Sequence, residues 1–209
     1  QLLRSHFPHQ FQDKYKEIGL LGEGGMSQVY EVEHLALQER RALKVLKAEY
    51  ADNPDLRERF TREARTLKNC EHPGLVKVHD LDEENGQLYI TMELIEGRSL
   101  KELLDEEGSL SVDEALAYLK QILEALSYIH SREVIHRDVK PSNVMVSQTG
   151  IKLIDFGIAK DQQASSLTRV NTHTRLGTTD FMADEQYDGN ATFQSDLYSA
   201  GLLLACMLG

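Results

Sequence analysis

The sequence predicts an α+β protein built as a small β-rich part with one main helix, followed by a larger and mostly helical part. Between residues 15 and 46, apolar side chains such as Tyr30 and Val32 alternate with acidic ones, which is the period of a half-exposed strand. Farther along, Ser111 and Glu114 form a capping box that opens a long amphipathic stripe. We expect a ligand to bind in a cleft between the two parts.

Composition narrows the class of protein. The chain has 209 residues, 41% hydrophobic and 27% charged, which is ordinary for a globular domain with a sizeable core. Its net charge of -11 argues against nucleic acid or an anionic membrane as a partner. The two cysteines, Cys70 and Cys206, have no metal-ligand spacing and are expected to be reduced thiols.

No signal peptide and no membrane-spanning apolar run is visible, so we expect a cytoplasmic segment without membrane contact. The sequence begins at Gln1 rather than Met and ends in an apolar helical stretch, residues 202–208. We therefore expect both ends to be cuts in a longer protein.

The first predicted helix carries an unexpected acid. Asn53 is the predicted N-cap, and Pro54 occupies the first turn. Four residues then share one face of this helix: Leu56, Phe60, Glu63 and Leu67. A carboxylate inside an apolar stripe is costly to bury unless a cation meets it, so we expect a cation beside Glu63. The alternative is a surface acid on a wrongly predicted helix.

Other elements are predicted from the same patterns. Strands are expected over residues 75–81 and 87–92, with a turn at 84–86. The helix after Ser111 should bury one apolar stripe, formed by Val112, Ala115, Leu116, Leu119, Ile122, Leu123, Leu126 and Ile129. The polar, Ser/Thr-rich residues 161–175 are predicted to form a loop.

Residues 20–34, L-L-G-E-G-G-M-S-Q-V-Y-E-V-E-H, nearly spell the phosphate-binding pattern G-x-G-x-x-G, with Ser27 at the third glycine position. A dinucleotide fold needs these glycines to open a helix, but a strand follows here. A Walker loop needs Gly-Lys-Ser/Thr, and none follows Gly25. A strand–turn–strand hairpin remains, whose N–H groups could bind phosphate oxygens. A plain glycine-rich turn is the alternative.

Two further stretches of the sequence decide how the glycine hairpin is interpreted. They are residues 134–146, V-I-H-R-D-V-K-P-S-N-V-M-V, and residues 151–157, I-K-L-I-D-F-G. With the glycine hairpin, they make the chain resemble the bacterial serine/threonine protein kinases of eukaryotic (Hanks) type. The matching elements follow in family order: Gly22-Glu23-Gly24 with Val29, Ala42-Leu43-Lys44, Glu63, His136-Arg137-Asp138, Asn143 and Asp155-Phe156-Gly157.

The resemblance runs from about residue 15 to the end of the sequence. It implies a bilobal protein-kinase-like fold, with one kinase domain over residues 1–209. Within it, residues 15–93 would form the N-lobe, 94–98 the hinge and 99–209 a C-lobe that is incomplete at its C-terminus.

The resemblance also implies ATP and Mg²⁺ as cofactors and assigns a role to each motif. Lys44 would hold the α- and β-phosphates, and Glu63 would hold Lys44. Asn143 and Asp155 supply the hard oxygen ligands that suit Mg²⁺. Asp138 would accept or orient the proton of the attacking hydroxyl.

Substrate class and the nucleotide pocket follow from the same alignment. Lys140 would contact the γ-phosphate, and together with Thr178 it marks serine/threonine rather than tyrosine kinases. Val29 and Ala42 would lie above the adenine. The residues implied to bind the nucleotide are Gly22, Gly24, Ser27, Val29, Ala42, Lys44, Met92, Glu93, Ile95 and Met145. Ordinary core packing is the other interpretation of the apolar ones.

Regulation is implied by Arg137, which in the family pairs with a phosphorylated residue of the activation loop. Thr172 and Thr174 are the leading phosphosites, with Thr168 as a further one. The alternative is a loop that is merely polar. Relatives often pair through the small lobe, so a homodimer for trans-phosphorylation is implied as well.

The sequence departs from the family pattern in a few places. Ser27 replaces the third glycine, a position where relatives tolerate small residues. Asp184 stands where the family has proline in A-P-E, and the arginine that usually pairs with Glu185 is not among the 209 residues. Asp196 matches the aspartate that braces the H-R-D backbone.

The function implied is an ATP-dependent serine/threonine protein kinase that acts on proteins and is regulated by activation-loop autophosphorylation. The alternative is a pseudokinase, a regulatory nucleotide-binding module. Such proteins usually lose Lys44, Asp138 or Asp155, and all three are present. A small-molecule phosphotransferase is disfavoured by Lys140 and Thr178.

The parent protein can be anchored in a membrane beyond residue 209, as bacterial relatives often are.

Overall fold

The computed structural model describes residues 7–156 and 181–209. The chain forms two compact units. The first contains Gln1–Asn69 and Lys77–Leu94, and the second contains Cys70–Val76 and Ile95–Gly209. The chain therefore crosses between the units three times. The lobe boundaries inferred from the resemblance remain an interpretation of the sequence.

The first unit is a five-stranded antiparallel sheet with one long helix. Its elements are β1 (Tyr15–Glu23), β2 (Ser27–His34), β3 (Glu39–Leu46), α1 (Pro54–Lys68), β4 (Val78–Glu84) and β5 (Gln87–Glu93). The strand order is β1-β2-β3-β5-β4. The β-rich part with a single main helix is thus confirmed.

Strand register divides the sheet into two faces. Val29 lies opposite Lys44 in the β2–β3 pair, and Ala42 lies opposite Met92 in the β3–β5 pair. Because opposed residues and residues two apart on a strand point to the same side, these four side chains share one face, here called the inner face. The other side is the outer face.

Residues before β1 cover the outer face. A short 3₁₀ turn, His9–Phe11, packs the Phe11 ring against Tyr89 with centroids 4.8 Å apart. Phe7 meets Tyr30 edge-on at 5.1 Å. Burial is also the main cause that raises the pKa of Tyr89, to about 12. The outer aromatic cluster comprises Phe7, Phe11, Tyr15, Tyr30, Val32, Leu43, Val45 and Tyr89.

Helix α1 begins as predicted. The Asn53 side chain accepts hydrogen bonds from the backbone N–H groups of Asp55 and Leu56, both at 3.1 Å. Pro54 follows as the first helical residue, where its missing N–H costs nothing. The buried face carries Phe60, Glu63, Ala64 and Leu67, whereas Leu56 is only half-buried.

The strand predicted from residue 75 starts three residues later, because β4 begins at Val78. Leu75 instead forms a parallel bridge with Leu153, and the Val76 N–H donates to the Leu153 carbonyl at 2.9 Å. Both belong to the second unit. The predicted turn between β4 and β5 is present, and Asn85 and Gly86 both have positive φ, as a two-residue hairpin turn requires.

The second unit is mostly helical, as predicted, but it also holds a small sheet. Its elements are β6 (Gly97–Ser99), α2 (Leu100–Glu107), α3 (Val112–His130), β7 (Val144–Ser147), β8 (Gly150–Leu153), α4 (Asp184–Tyr187) and α5 (Phe193–Leu208). The three strands pair antiparallel in the order β6-β7-β8. A Cβ at Gly97 would overlap the Val146 carbonyl oxygen, so only glycine fits there.

Helix α3 has the predicted capping box at Ser111. Its buried stripe is narrower than expected and comprises Ala115, Ile122, Ala125, Leu126 and Ile129. Val112, Leu116 and Leu123 are exposed. No helix in the described part of the chain is both long and apolar enough to cross a membrane. The loop predicted at 161–175 lies outside the described residues.

We expect Phe11→Ala to destabilise the protein by about 3 to 5 kcal/mol, because it leaves a cavity in the outer aromatic cluster. Urea unfolding followed by tyrosine fluorescence would measure this, since the chain has eight tyrosines and no tryptophan. Leu37→Ala, at a side chain that is 54% exposed, is the matched control and should change stability by less than about 0.5 kcal/mol. Equal losses of unfolding free energy in the two variants would show that the outer aromatic cluster does not stabilise the protein.

Candidate active site

The glycine hairpin joins β1 to β2 and is closed by a hydrogen bond from the Gly24 N–H to the Ser27 carbonyl, 2.8 Å long. Neither Gly22 nor Gly25 has a positive φ, and no atom of the described chain lies within 4 Å of a Cβ built at either residue. This conformation therefore does not itself require glycine at these positions. What glycine provides is open space beside the backbone, which suits the close approach of a ligand.

A buried ion pair lies at the centre of the first unit. The Lys44 ammonium on β3 donates to the Glu63 carboxylate on α1 at 2.7 Å. The two residues are 6% and 2% exposed. The cation expected beside Glu63 is thus Lys44. Such a pair is stable only when each charge has its partner, so the two residues hold each other in place.

The apolar residues predicted to contact adenine fall in both units. Val29, Ala42 and Met92 share the inner face of the sheet with Lys44. Glu93 ends β5, and its carboxylate accepts from the Lys77 N–H at 2.8 Å. The remaining two predicted residues, Ile95 and Met145, belong to the second unit, where Met145 is half-buried on β7.

The second unit brings three polar residues of the H-R-D segment together. Asn143 donates its side-chain amide to the Asp138 carboxylate and to the Asp138 carbonyl, both at 2.8 Å. The Lys140 ammonium lies 3.0 Å from the same carboxylate oxygen. A 3₁₀ turn, Pro141–Asn143, provides the reversal that this requires. Since the Asn143 amide nitrogen faces Asp138, its amide oxygen is the atom that can ligate a hard cation.

Asp155 follows β8 and is tied to the same region. The Ile154 N–H donates to the Asn143 carbonyl at 3.1 Å, which connects the chain before Asp155 to the residue predicted to share its cation. Within residues 7–156 and 181–209, no group of three or more His, Cys, Asp or Glu side chains could hold a metal alone. An asparagine and an aspartate nevertheless fit Mg²⁺, because this ion keeps phosphate and water among its ligands.

His136 has a packing role in this geometry. Its ring is fully buried and stacks on Phe156 with centroids 4.6 Å apart. Its Nδ1 lies 3.3 Å from the Asp138 backbone N–H, which donates to it.

Asp196 on α5 braces the backbone ahead of Asp138. Its carboxylate, 1% exposed, accepts from the N–H groups of His136 and Arg137, both at 2.8 Å. Arg137 has φ +69°, a left-handed conformation that costs energy in a non-glycine residue. His130 Nε2 lies 2.8 Å from the same carboxylate, and its ring stacks on Phe193. The three contacts fix the turn that presents Asp138.

Helix α4 carries the family's A-P-E position. Asp184 is its exposed first residue, a place where acidic residues and proline are both favoured. Glu185 accepts from the Ser195 hydroxyl at 2.5 Å, and this hydrogen bond lowers the pKa of Glu185. Gln186 is buried and donates to the Arg137 carbonyl at 3.1 Å.

Sequence reasoning missed two of these residues, His130 and Gln186. Neither lies in a motif that we used, although a histidine closing an apolar helix was a weak signal for the first. The predicted phosphosites Thr168, Thr172 and Thr174, together with Thr178, lie outside the described residues.

The motifs and the geometry within each unit define a protein kinase. Residues 15–209 match the model of the protein kinase domain, and the chain belongs to that family.

Several curated relatives are bacterial serine/threonine kinases. The chain is 41% identical over 197 residues to the probable serine/threonine-protein kinase PknB of Lactococcus lactis subsp. lactis (strain IL1403), covering 93% of this chain and 31% of the relative. It is 38% identical to PrkC of Bacillus subtilis (strain 168), covering 91% and 30%. With PknD of Mycobacterium tuberculosis (strain ATCC 25618 / H37Rv) the identity is 41%, covering 93% and 29%. The chain thus spans about three-tenths of the length of these relatives.

Among solved structures, the PknI kinase domain of M. tuberculosis is similar to this chain, with a TM-score of 0.73 and 31% identity. The match covers 93% of this chain and 72% of that structure. The protein-kinase-like fold expected from the sequence is therefore confirmed.

We expect Glu63→Leu to destabilise the protein by about 3 kcal/mol, because it leaves the buried Lys44 charge without its carboxylate. Adding Lys44→Met to Glu63→Leu should restore most of that loss. Urea unfolding of the two single variants and the double variant would measure the coupling. Lys101→Ala breaks an exposed pair with Asp105 and should cost less than about 1 kcal/mol. A fully stable Glu63→Leu protein would show that the pair does not stabilise the first unit.

Proposed function

We propose that the chain is the catalytic domain of an ATP-dependent serine/threonine protein kinase. It would transfer the γ-phosphoryl group of Mg-ATP to serine or threonine hydroxyls of proteins. The observation that carries this proposal is the Asp138 carboxylate, which Asn143 and Lys140 orient by direct contacts. A module that only bound nucleotide would not need an oriented base beside a cation.

Residues of the first unit would hold the nucleotide. Lys44 carries a buried charge suited to the α- and β-phosphates, and its pairing with Glu63 limits the ammonium to one position. Backbone N–H groups of the glycine hairpin would face phosphate oxygens. The inner-face residues Val29, Ala42 and Met92 would pack on the adenine. The backbone of residues 93–95 would hydrogen-bond to the base.

Asp138 would accept the proton of the acceptor hydroxyl as that oxygen bonds to phosphorus. Its hydrogen bond from Asn143 prevents rotation of the carboxylate, so the accepting oxygen keeps its direction. Lys140 would offset the negative charge on the phosphoryl group during transfer. These effects are positioning and charge stabilisation, which is what phosphoryl transfer chiefly requires.

Asn143 and Asp155 would hold Mg²⁺ through an amide oxygen and a carboxylate. The bound metal supplies neutralisation of charge on the phosphate oxygens. Both protein ligands lie in the second unit, and the Ile154 hydrogen bond to Asn143 keeps their segments together.

Serine/threonine specificity is supported by Lys140 and by the names of the relatives. Regulation by autophosphorylation at Thr172, Thr174 or Thr168 is part of the proposal, with Arg137 as the residue that would bind the phosphate. A homodimer would allow this reaction to occur in trans.

The proposal predicts that the chain gains phosphoryl groups on incubation with Mg-ATP, as measured by intact mass. Asp138→Asn should slow this by at least about 100-fold, because the proton acceptor is lost. Asp155→Asn, or chelation of Mg²⁺ with EDTA, should abolish it, because the metal site is incomplete or empty. Peptide mapping would test whether Thr168, Thr172 and Thr174 receive the groups.

Asp113→Asn is the matched control, since this exposed aspartate in the first turn of α3 has no place in the proposed site. It should be phosphorylated at the native rate. If the native chain binds Mg-ATP, seen as a rise in Tm, but phosphorylates neither itself nor a generic protein substrate, the proposal fails. The protein would then be a nucleotide-binding module.

A further inference from the structure

The side chain of Gln186 bridges two backbone segments inside the second unit. Its Nε2 donates to the Arg137 carbonyl at 3.1 Å, and its Oε1 accepts from the Ala183 N–H at 3.2 Å. Gln186 is only 5% exposed. An amide both donates and accepts, so it can satisfy both backbone groups where water has little access.

Arg137 is the residue that Gln186 holds, and its conformation is strained. Its φ of +69° is left-handed, which side-chain-bearing residues rarely adopt. Asp196 receives the Arg137 N–H at 2.8 Å, whereas Gln186 binds the Arg137 carbonyl. The two contacts therefore hold Arg137 at both ends. The tasks of Asp196 and Gln186 differ, because one binds the N–H group and the other the carbonyl.

The Arg137 carbonyl belongs to the peptide group that leads directly into Asp138. Rotation of this peptide would turn the Asp138 main chain, and with it the carboxylate that Asn143 and Lys140 orient. A displacement of about 1 Å at a catalytic group can cost about 100-fold in rate.

We propose that Gln186 is a positioning residue for residues 136–138, here called the catalytic turn. It fastens residues 183–186 to the Arg137 carbonyl and thereby fixes the direction of Asp138. The inference rests on the proposed kinase function, since it concerns the same site. Gln186 touches neither nucleotide nor acceptor in this role, and it acts only through the backbone.

Two substitutions test the role. Gln186→Met keeps the size of the side chain and removes both hydrogen bonds. Gln186→Glu keeps the shape and the acceptor but cannot donate while it is ionised. We expect kcat to fall about tenfold or more in both, with KM for ATP unchanged within about twofold, because the nucleotide contacts are untouched.

The pH profile gives a signature that loss of structure alone would not produce. In the Gln186→Glu variant the introduced carboxyl regains a donor when it is protonated, and burial raises the pKa of such a group. The ratio of Gln186→Glu to native kcat should therefore rise as pH falls from about 8 to about 6. The ratio of Gln186→Met to native kcat should not change over the same pH range. Among the residues that the structure describes, the titratable and charged groups around the turn are His130, His136, Arg137, Asp138, Lys140, Glu185 and Asp196, and all are common to the three proteins.

Gln121→Glu is the matched control. Gln121 also spans two backbone groups of the second unit, accepting from the Ile151 N–H at 3.1 Å and donating to the Ala117 carbonyl at 3.3 Å. Neither of these hydrogen bonds involves the catalytic turn. The kcat of Gln121→Glu should stay within about twofold of native, and the ratio of its kcat to native kcat should not change with pH.

Hydrogen exchange separates this inference from the proposed function. The amides of His136 and Arg137 should exchange faster in both Gln186 variants than in the native protein, whether or not the native protein transfers phosphate. A native chain without activity but with this exchange pattern would defeat only the kinase proposal. Folded Gln186 variants with native exchange at these amides, or a kcat loss matched by Gln121→Glu, would overturn the positioning role.

Discussion

The second unit depends on how one buried carboxylate is satisfied. Asp196 lies on the helix α5, yet it accepts the N–H of His136, which is sixty residues earlier in the chain. A carboxylate in such surroundings is costly unless several donors meet it, and the backbone of the H-R-D segment supplies two of them. The same contacts stabilise the left-handed Arg137, which no local preference would favour. The direction of Asp138 is thus set by contacts with residues distant in the sequence, and the H-R-D motif alone does not determine it.

The first unit also buries a carboxylate, but a lysine ammonium rather than backbone N–H groups donates to it. Glu63 is buried on α1, and its charge is met by Lys44 on the neighbouring sheet. Because Lys44 is on the inner face of that sheet, the pair fixes helix α1 and the position of the Lys44 ammonium together. The outer face is closed by aromatic residues, chiefly Phe7 and Phe11. Residues before β1 thus occupy the outer face of the sheet, so a ligand proposed to bind this sheet would have to contact the inner face.

Local rules were enough to predict much of this architecture. Alternation identified the strands around Tyr30, and the caps at Asn53 and Ser111 located two helix starts, because these signals depend on neighbouring residues only. The acid at Glu63 even predicted its cation. The errors have physical causes. Leu75 and Val76 read as the start of a strand because apolar residues suit a buried segment of either unit. His130 and Gln186 were missed because they contact a distant carboxylate and a backbone carbonyl, and neither interaction leaves a pattern of spacing in the sequence.

The chain leaves the first unit and returns to it, and this path limits how the protein can be divided into fragments. Residues 70–76 are inserted in sequence between α1 and β4 of the first unit, but they belong to the second. Leu75 and Val76 are each 1% exposed there. A gene fragment ending near Leu94 would therefore expose Leu75 and Val76, because the residues that bury them belong to the second unit. Excising the first unit as one continuous fragment would carry residues 70–76 along with it, so a chimaera has to match this segment to the second unit that receives it.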